Sequence, residues 1–590
     1  MLQFFKYVLA TILGLFLFMV FSLILLFAIG AAASSEDSVS IESNSVLELK
    51  LSEPVVERTP RNPLSDFGFG GSPFNEAGVG LDEIKASIKK AKTDDNIKGI
   101  FLNLELLDAG MASVEEIRDA LLDFKKSKKF IVAYSEIATE KAYYLSSVAD
   151  RIYLNPSGTL ELNGLSSEIF FYKGTLEKLD LKPYIFKVGE FKSAVEPFIL
   201  DKMSDPSRAQ TVSFLNSLNN FMLQNIAKTR GKSFEYFKNV SDSMLVHNAD
   251  DALRYGLVTH LGYYDEATAF MKKKAGTKAG EELNLVNLGK YKKVTDPEKK
   301  EGSSRNKIAV IYASGEIVGG KGDDNTIGGK GMSEAIRKAR LDKNVKAVVL
   351  RINSPGGSSL ASDVIWREVM LTKKVKPVIA SMSDVAASGG YYIAMACDTI
   401  VAHPNTITGS IGVFGMMVNT QDFLKNKLGI TVDRVTTGKF SDVPSVTRPM
   451  TEYEKMHIQR EVERIYADFT TKAAQSRKMP VADLRKIASG RVWSGLEAKE
   501  RGLVDVMGGL EDAIAIAARK AKLKEGEYRL RSLPVQKSFF ESLMSDTEER
   551  IRMHSLRNEL GDLLPYYEQY QQIQQMQGVQ ARLPYDIAIQ

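Results

Sequence analysis

From Val8 to Ala33 the chain carries no charged residue and is dominated by Leu, Phe, Ile and Val. About 20 such residues suffice to cross a bilayer as a helix, and the run is longer than the roughly 7 to 15 apolar residues of a signal-peptide core. The pattern predicts a membrane anchor over residues 1–33. Ala31-Ala32-Ala33 also fits a cleavage site, so removal of the segment is a second reading. Lys6 before the run, with Glu36 and Asp37 after it, favours a short cytoplasmic N-terminus and an exported body.

Beyond the anchor, short β-branched runs alternate with amphipathic stretches, the pattern of an α/β fold built from parallel crossovers. Ala347–Ile352 reads as a strand, Ser354-Pro355-Gly356-Gly357 as a turn, and a helix is expected from about Ala361. Pro377–Ala380 reads as the next strand, and a further helix begins after Ser388. The pattern occurs twice. Asn96-Ile97-Lys98-Gly99-Ile100-Phe101-Leu102 corresponds to Asn344-Val345-Lys346-Ala347-Val348-Val349-Leu350, and Tyr143-Tyr144 to Tyr391-Tyr392. Ala149-Asp150-Arg151-Ile152 corresponds to Cys397-Asp398-Thr399-Ile400, and Tyr255-Gly256-Leu257-Val258 to Arg501-Gly502-Leu503-Val504. A repeat on this scale decides the architecture more than any local motif. It predicts a first domain over 46–288, a Lys-, Gly- and Ser-rich linker over 289–307, a second domain over 308–535 and a tail over 536–590, helical or loose. The first copy carries a longer Gly- and Pro-rich loop through residues 60–80.

The net charge of +5 gives no sign of nucleic-acid binding, and the lysine clusters read as solvated faces. The single cysteine, Cys397, excludes an intrachain disulfide; set in an apolar run, it reads as a core residue.

The two copies differ where chemistry is concerned. Aligned through the paired tyrosines, Ser388 and Gly389 face Glu140 and Lys141, and Ser354-Pro355-Gly356-Gly357 faces Leu106-Leu107-Asp108-Ala109. The second copy therefore keeps a serine on a glycine turn at a strand-to-helix junction. Such a serine needs a base and backbone donors for a developing oxyanion. Gly389, at a helix start, and the Gly356-Gly357 turn supply unobstructed N–H groups. None of the five histidines (247, 260, 403, 457 and 554) sits in a recognisable catalytic context, and His403 reads as a structural turn residue. The other available base is a lysine made neutral by burial. Lys192 lies among apolar neighbours in Val188-Gly189-Glu190-Phe191-Lys192-Ser193-Ala194-Val195-Glu196-Pro197-Phe198, and its counterpart in the second copy is Ser441. The lysine belongs to one copy and the serine to the other, as expected of one site shared by two.

These segments, with Asn353-Ser354-Pro355-Gly356-Gly357, Ala386-Ala387-Ser388-Gly389-Gly390-Tyr391 and Thr408-Gly409-Ser410-Ile411-Gly412, closely resemble the long, duplicated form of the SppA (protease IV) family of signal peptide peptidases. The resemblance runs from the anchor to about Leu533. It implies tandem crotonase/Clp protease-like domains, with Ser388 as nucleophile, Lys192 as general base, Gly389, Gly356 and Gly357 as oxyanion donors, and Ser410 as a hydroxyl orienting the lysine. It further implies a bowl-shaped homotetramer on the outer side of a bacterial inner membrane. Released signal peptides and other unfolded apolar peptides are the implied substrates, and no metal or cofactor is called for. Two other readings remain open at this point: a crotonase-like acyl-CoA enzyme and a non-catalytic membrane scaffold.

Overall fold

The computed structural model describes residues 2–33, 40–59, 78–278, 280–295, 304–323, 325–535 and 578–583. Leu2–Ala33 is one continuous helix, although many of its side chains lie outside the described set. Among the described residues, no helix is long and apolar enough to cross a membrane.

Two sheets carry the body, and their strands follow one plan. In the first, the order is His260–Leu261, Arg151–Leu160, Phe130–Ala138, Ile97–Asn103, Ser45–Leu49, Leu285–Asn287, all parallel. In the second, the corresponding path is Val506–Met507, Thr399–Ala402, Val378–Ala387, Val345–Ser354, Lys307–Ser314, Arg529–Leu533, also parallel. Ile407–Gly409 and Val492–Ser494 extend this sheet beside the end of Val378–Ala387. Parallel strands covered on both faces read as unbroken apolar runs, as Ala347-Val348-Val349-Leu350 does. The period of two then sorts the side chains. Val348, Leu350 and Ile352 enter one core, while Ala347 and Val349 meet Ala513 and Ala517 of the helix Leu510–Lys520 on the other face. In the first copy Ile100 and Leu102 face one core, and Phe101 packs with Ala267 and Met271 of the helix Tyr264–Ala275. Each fully buried aliphatic side chain contributes about 1.5–3 kcal/mol.

Polar details repeat as well. Tyr143 and Tyr391 each donate a 3.0 Å hydrogen bond, to Leu257 O and Leu503 O. Asp150 and Asp398 each accept from the neighbouring strand, from Ile131 N and Val378 N, both at 2.9 Å. Cys397 is a buried free thiol, as its apolar setting predicts.

A third sheet joins the copies. Its order is Thr326–Gly328, Glu316–Val318, Gly356–Ser358, Gly578–Arg582, Val413–Asn419, Lys182–Val188. Two expectations are corrected here. Gly356-Gly357, read as a turn, is extended because strands lie on both sides of it. The end of the chain, read as helical or loose and without chemistry, contributes the strand Gly578–Arg582; its partners are hundreds of residues away, so no local pattern announces it. Most of the expected tail, much of the 60–80 loop and the centre of the expected linker lie outside the described residues.

Candidate active site

The strand Val378–Ala387 stops just before Ser388, and the helix Gly389–Ala394 starts just after it. Ser388 bridges them at φ 55° and ψ −111°, a conformation that costs a non-glycine residue roughly 1–3 kcal/mol. The strain is held from both sides. Ser388 N–H donates to Gly409 O at 2.9 Å, and Ser388 O accepts from Tyr392 N at 2.8 Å.

Lys192 arrives from the other copy. It follows the strand Lys182–Val188, which runs antiparallel to Val413–Asn419, and Phe191 N–H donates to Ser489 O at 3.1 Å. These contacts carry the lysine into the second domain. Its Nζ lies 2.9 Å from Ser388 Oγ, 2.9 Å from Ser410 Oγ and 3.2 Å from Ser410 O. Ser388 Oγ is also 3.5 Å from Gly412 O. Lys192, Ser388 and Ser410 are all 0% exposed. Burial pushes the Lys192 amine well below the ordinary lysine pKa, because a cation without solvent or a counter-ion is costly. A neutral amine has two hydrogens and one lone pair. With the hydrogens directed at Ser410, the lone pair is free to accept the Ser388 hydroxyl proton.

The glycines gather at the same place. Gly389 opens its helix, where first-turn N–H groups have no helical partner. Gly356, at φ 101°, lies against Gly389: a side chain on Gly356 would strike Gly389 N at 2.7 Å and collide with Ala581 O. Gly356 N–H itself donates to Ser354 Oγ at 3.2 Å. Gly357 sits between Ile317 and Ala581 in the third sheet. In the first copy the counterpart of Ser388, Glu140, is buried and accepts from Gly164 N at 2.6 Å, with its pKa raised by burial. Ser441 is exposed and bonds only locally, to Gly438 O.

Two residues of the setting had no sequence signal. Gly490, at φ 81°, lets the backbone pass Lys192; a Cβ there would lie 2.6 Å from Lys192 Cβ. Gln210, fully buried, donates to Phe191 O and Ser193 Oγ and accepts from Val492 N, fastening the lysine loop to the second domain. Both act through contacts remote in sequence. Gly490→Ala is expected to displace Lys192 and lower kcat/KM about 100-fold while circular dichroism retains the α/β signature. Unchanged kinetics would show that the lysine tolerates the shift.

His403 is buried beside Glu116 at 3.6 Å, its pKa lowered to about 4, chiefly by burial. The side chains bonded to Ser388 and Lys192 include no histidine.

The profile of Peptidase family S49 matches residues 123–278 and again 370–524. The chain is 37% identical over 457 residues to "Serine protease SPPA, chloroplastic" of Arabidopsis thaliana, covering 77% of this chain and 67% of that one. It is 35% identical over 511 residues to "Protease 4" of Salmonella typhi, covering 84% and 81%, and 33% identical over 515 residues to "Protease 4" of Haemophilus influenzae, covering 84% and 82%. A solved ClpP1 mutant from Listeria monocytogenes aligns with 35% of this chain and 94% of its own, at 18% identity and a TM-score of 0.24. The chain belongs to Peptidase family S49, whose domain it carries twice, and it is a serine protease.

Proposed function

We propose that the protein is a membrane-anchored endopeptidase that uses a Ser388–Lys192 dyad to degrade released signal peptides and other unfolded apolar peptides outside a bacterial inner membrane. The observation that carries this reading is the 2.9 Å approach of Lys192 Nζ to Ser388 Oγ, both fully buried and each supplied by a different repeat. Neutral Lys192 accepts the Ser388 proton as Oγ bonds to the substrate carbonyl carbon, and the carbonyl π electrons move to oxygen. Gly389 N–H, with the adjoining Gly356-Gly357 strand, holds that oxyanion. The C–N bond breaks as Lys192 returns the proton to the leaving amine. Lys192 next deprotonates water, which attacks the acyl ester and releases Ser388. Ser410 orients the lysine through its hydroxyl and carbonyl.

The anchor rests on the continuous helix Leu2–Ala33, whose described apolar side chains, among them Phe4, Leu9, Phe16 and Phe18, are exposed. The bowl-shaped homotetramer, the substrate class and the domain limits 46–288 and 308–535 come from the family resemblance and the sequence repeat. Among the described residues, no carboxylate bonds Ser388 or Lys192, which disfavours the acyl-CoA alternative.

Hydrolysis of a fluorogenic leucine-rich peptide by the full chain, beside Ser388→Ala, tests the proposal. Turnover by the parent and its loss in the variant are expected; equal turnover by both contradicts it. The working form has a neutral lysine, so kcat/KM is fully present above the Lys192 pKa and falls as pH drops through it. The midpoint of that limb is expected below the ordinary lysine value of about 10.4 and is read from a pH–rate profile.

A further inference from the structure

The third sheet contains a slot one strand wide. On one side lies Gly356–Ser358 and on the other Val413–Asn419, with Gly578–Arg582 between them, antiparallel to both. The register sets Gly356 against Arg582, Gly357 against Ala581 and Phe414 against Gln580. Without the inserted strand, two sheet edges would face each other across two strand spacings, about 10 Å. Their N–H and C=O groups would need another extended peptide or water. The walls belong to the candidate active site: one is the Gly356-Gly357 strand, and the other continues from Ser410-Ile411-Gly412. The Ala581 carbonyl oxygen lies where a side chain on either Gly356 or Gly389 would press against it. A scissile peptide would bring its carbonyl to the same neighbourhood.

The inserted segment is also gripped by its side chains. Arg582, 6% exposed, places Nη1 3.1 Å from Glu316 Oε2. Leu583, 4% exposed, packs with Phe214 and Leu218 of the first repeat and with Ala387, Ile407 and Val492 of the second. Its N–H donates to Pro355 O at 2.7 Å. The apolar pocket thus adjoins Ser388 through Ala387 and draws its walls from both repeats.

We propose that Gln580–Leu583 is a tethered pseudosubstrate of the peptide slot, and that Glu316 makes the slot selective for a basic side chain followed by an apolar one. The inference deepens the endopeptidase reading and rests on it for the word substrate. Peptides compete with the tail by adding a strand to both walls. The backbone bonds accept any sequence, whereas Glu316 and the Leu583 pocket choose among sequences.

The test uses the full chain. Arg582→Glu places like charges together, and hydrogen exchange is expected to report lost protection at Gln580–Leu583 and at Gly356–Ser358. Turnover of the leucine-rich peptide rises about tenfold or more, the scale of one charge-assisted hydrogen bond. Glu316→Arg also frees the tail, and combining it with Arg582→Glu restores both protection and the low parental rate. In the tail-released Arg582→Glu chain, an Arg-Leu peptide is cleaved faster than its Glu-Leu counterpart. With Glu316→Arg/Arg582→Ala, which also frees the tail, the preference reverses. Unchanged exchange in Arg582→Glu overturns the pseudosubstrate, and an unaltered Arg-against-Glu preference overturns the role of Glu316. If exchange changes as expected but no variant turns over peptide, the endopeptidase reading fails and the tail's occupancy of the slot stands.

Discussion

Lys192→Met lowers kcat/KM for peptide hydrolysis about 10⁴-fold, the scale on which serine hydrolases lose rate when the base is removed. Methionine fills much of the same buried volume, so folding stability is expected to stay within about 2 kcal/mol of the parent. Two opposing effects set that margin. The substitution removes an amine that is costly to bury, and it leaves Ser410 O and Oγ without the Lys192 contact. The loss of rate is therefore chemical rather than structural. Ser388→Ala is expected to lose a similar factor, and the double variant little more, because nucleophile and base act as one unit. Urea titration beside the kinetics checks the separation; multiplicative losses would mean that the two residues work independently.

Arg351→Leu carries the largest expected cost to stability, about 3–5 kcal/mol. Arg351 is fully buried and reaches Glu57 Oε2 and Glu116 Oε1, each at 2.7 Å, with Ser381 Oγ at 3.1 Å and Ser383 Oγ at 2.9 Å. Lys85 bonds Glu116 and also Glu511. The network ties Glu57, Lys85 and Glu116 of the first repeat to Arg351 and Glu511 of the second. Without the guanidinium, Glu57 and Glu116 are left buried with too little positive charge. Burial alone would raise the Glu116 pKa, but Arg351, Lys85 and His403 hold it well below the usual carboxylate range. Its contribution to stability is thus present above the ordinary glutamate value of about 4.3 and lost as pH falls through the depressed folded value. Arg351→Lys recovers only part of the loss, since one ammonium cannot match a planar fork bonding two carboxylates. Chemical denaturation at pH 7 checks the series. A midpoint unchanged in Arg351→Leu would mean that the network contributes nothing net.

The duplication was legible because each element repeats its residues in nearly constant register, and the two parallel sheets follow from that with little added. Ser388 and Lys192 stood out through complementary loss: each is present in one copy and replaced in the other. What joins the copies was not legible. Glu57 and Arg351 are separated by hundreds of residues and look like ordinary surface charges in their own segments. Gly490 reads as a loop glycine until Lys192 is found against it. Gly356-Gly357 carries the signature of a turn, and only pairing with Ile317 and Ala581 makes it a strand. The tail strand Gly578–Arg582 is short and follows a glutamine-rich run, so neither length nor periodicity marks it. Local pattern reports local structure, and this site is assembled from contacts between chain segments far apart.

The central claim, one serine activated by one lysine across two repeats, is tested most directly by the rate of fluorophosphonate labelling as a function of pH, with the modified residue located by mass spectrometry. The account predicts label on Ser388, a rate that rises with pH through a midpoint below the ordinary lysine range, and near-complete loss of labelling in Lys192→Met. Labelling of Ser388 at the parental rate in that variant, or label on another serine, would contradict it.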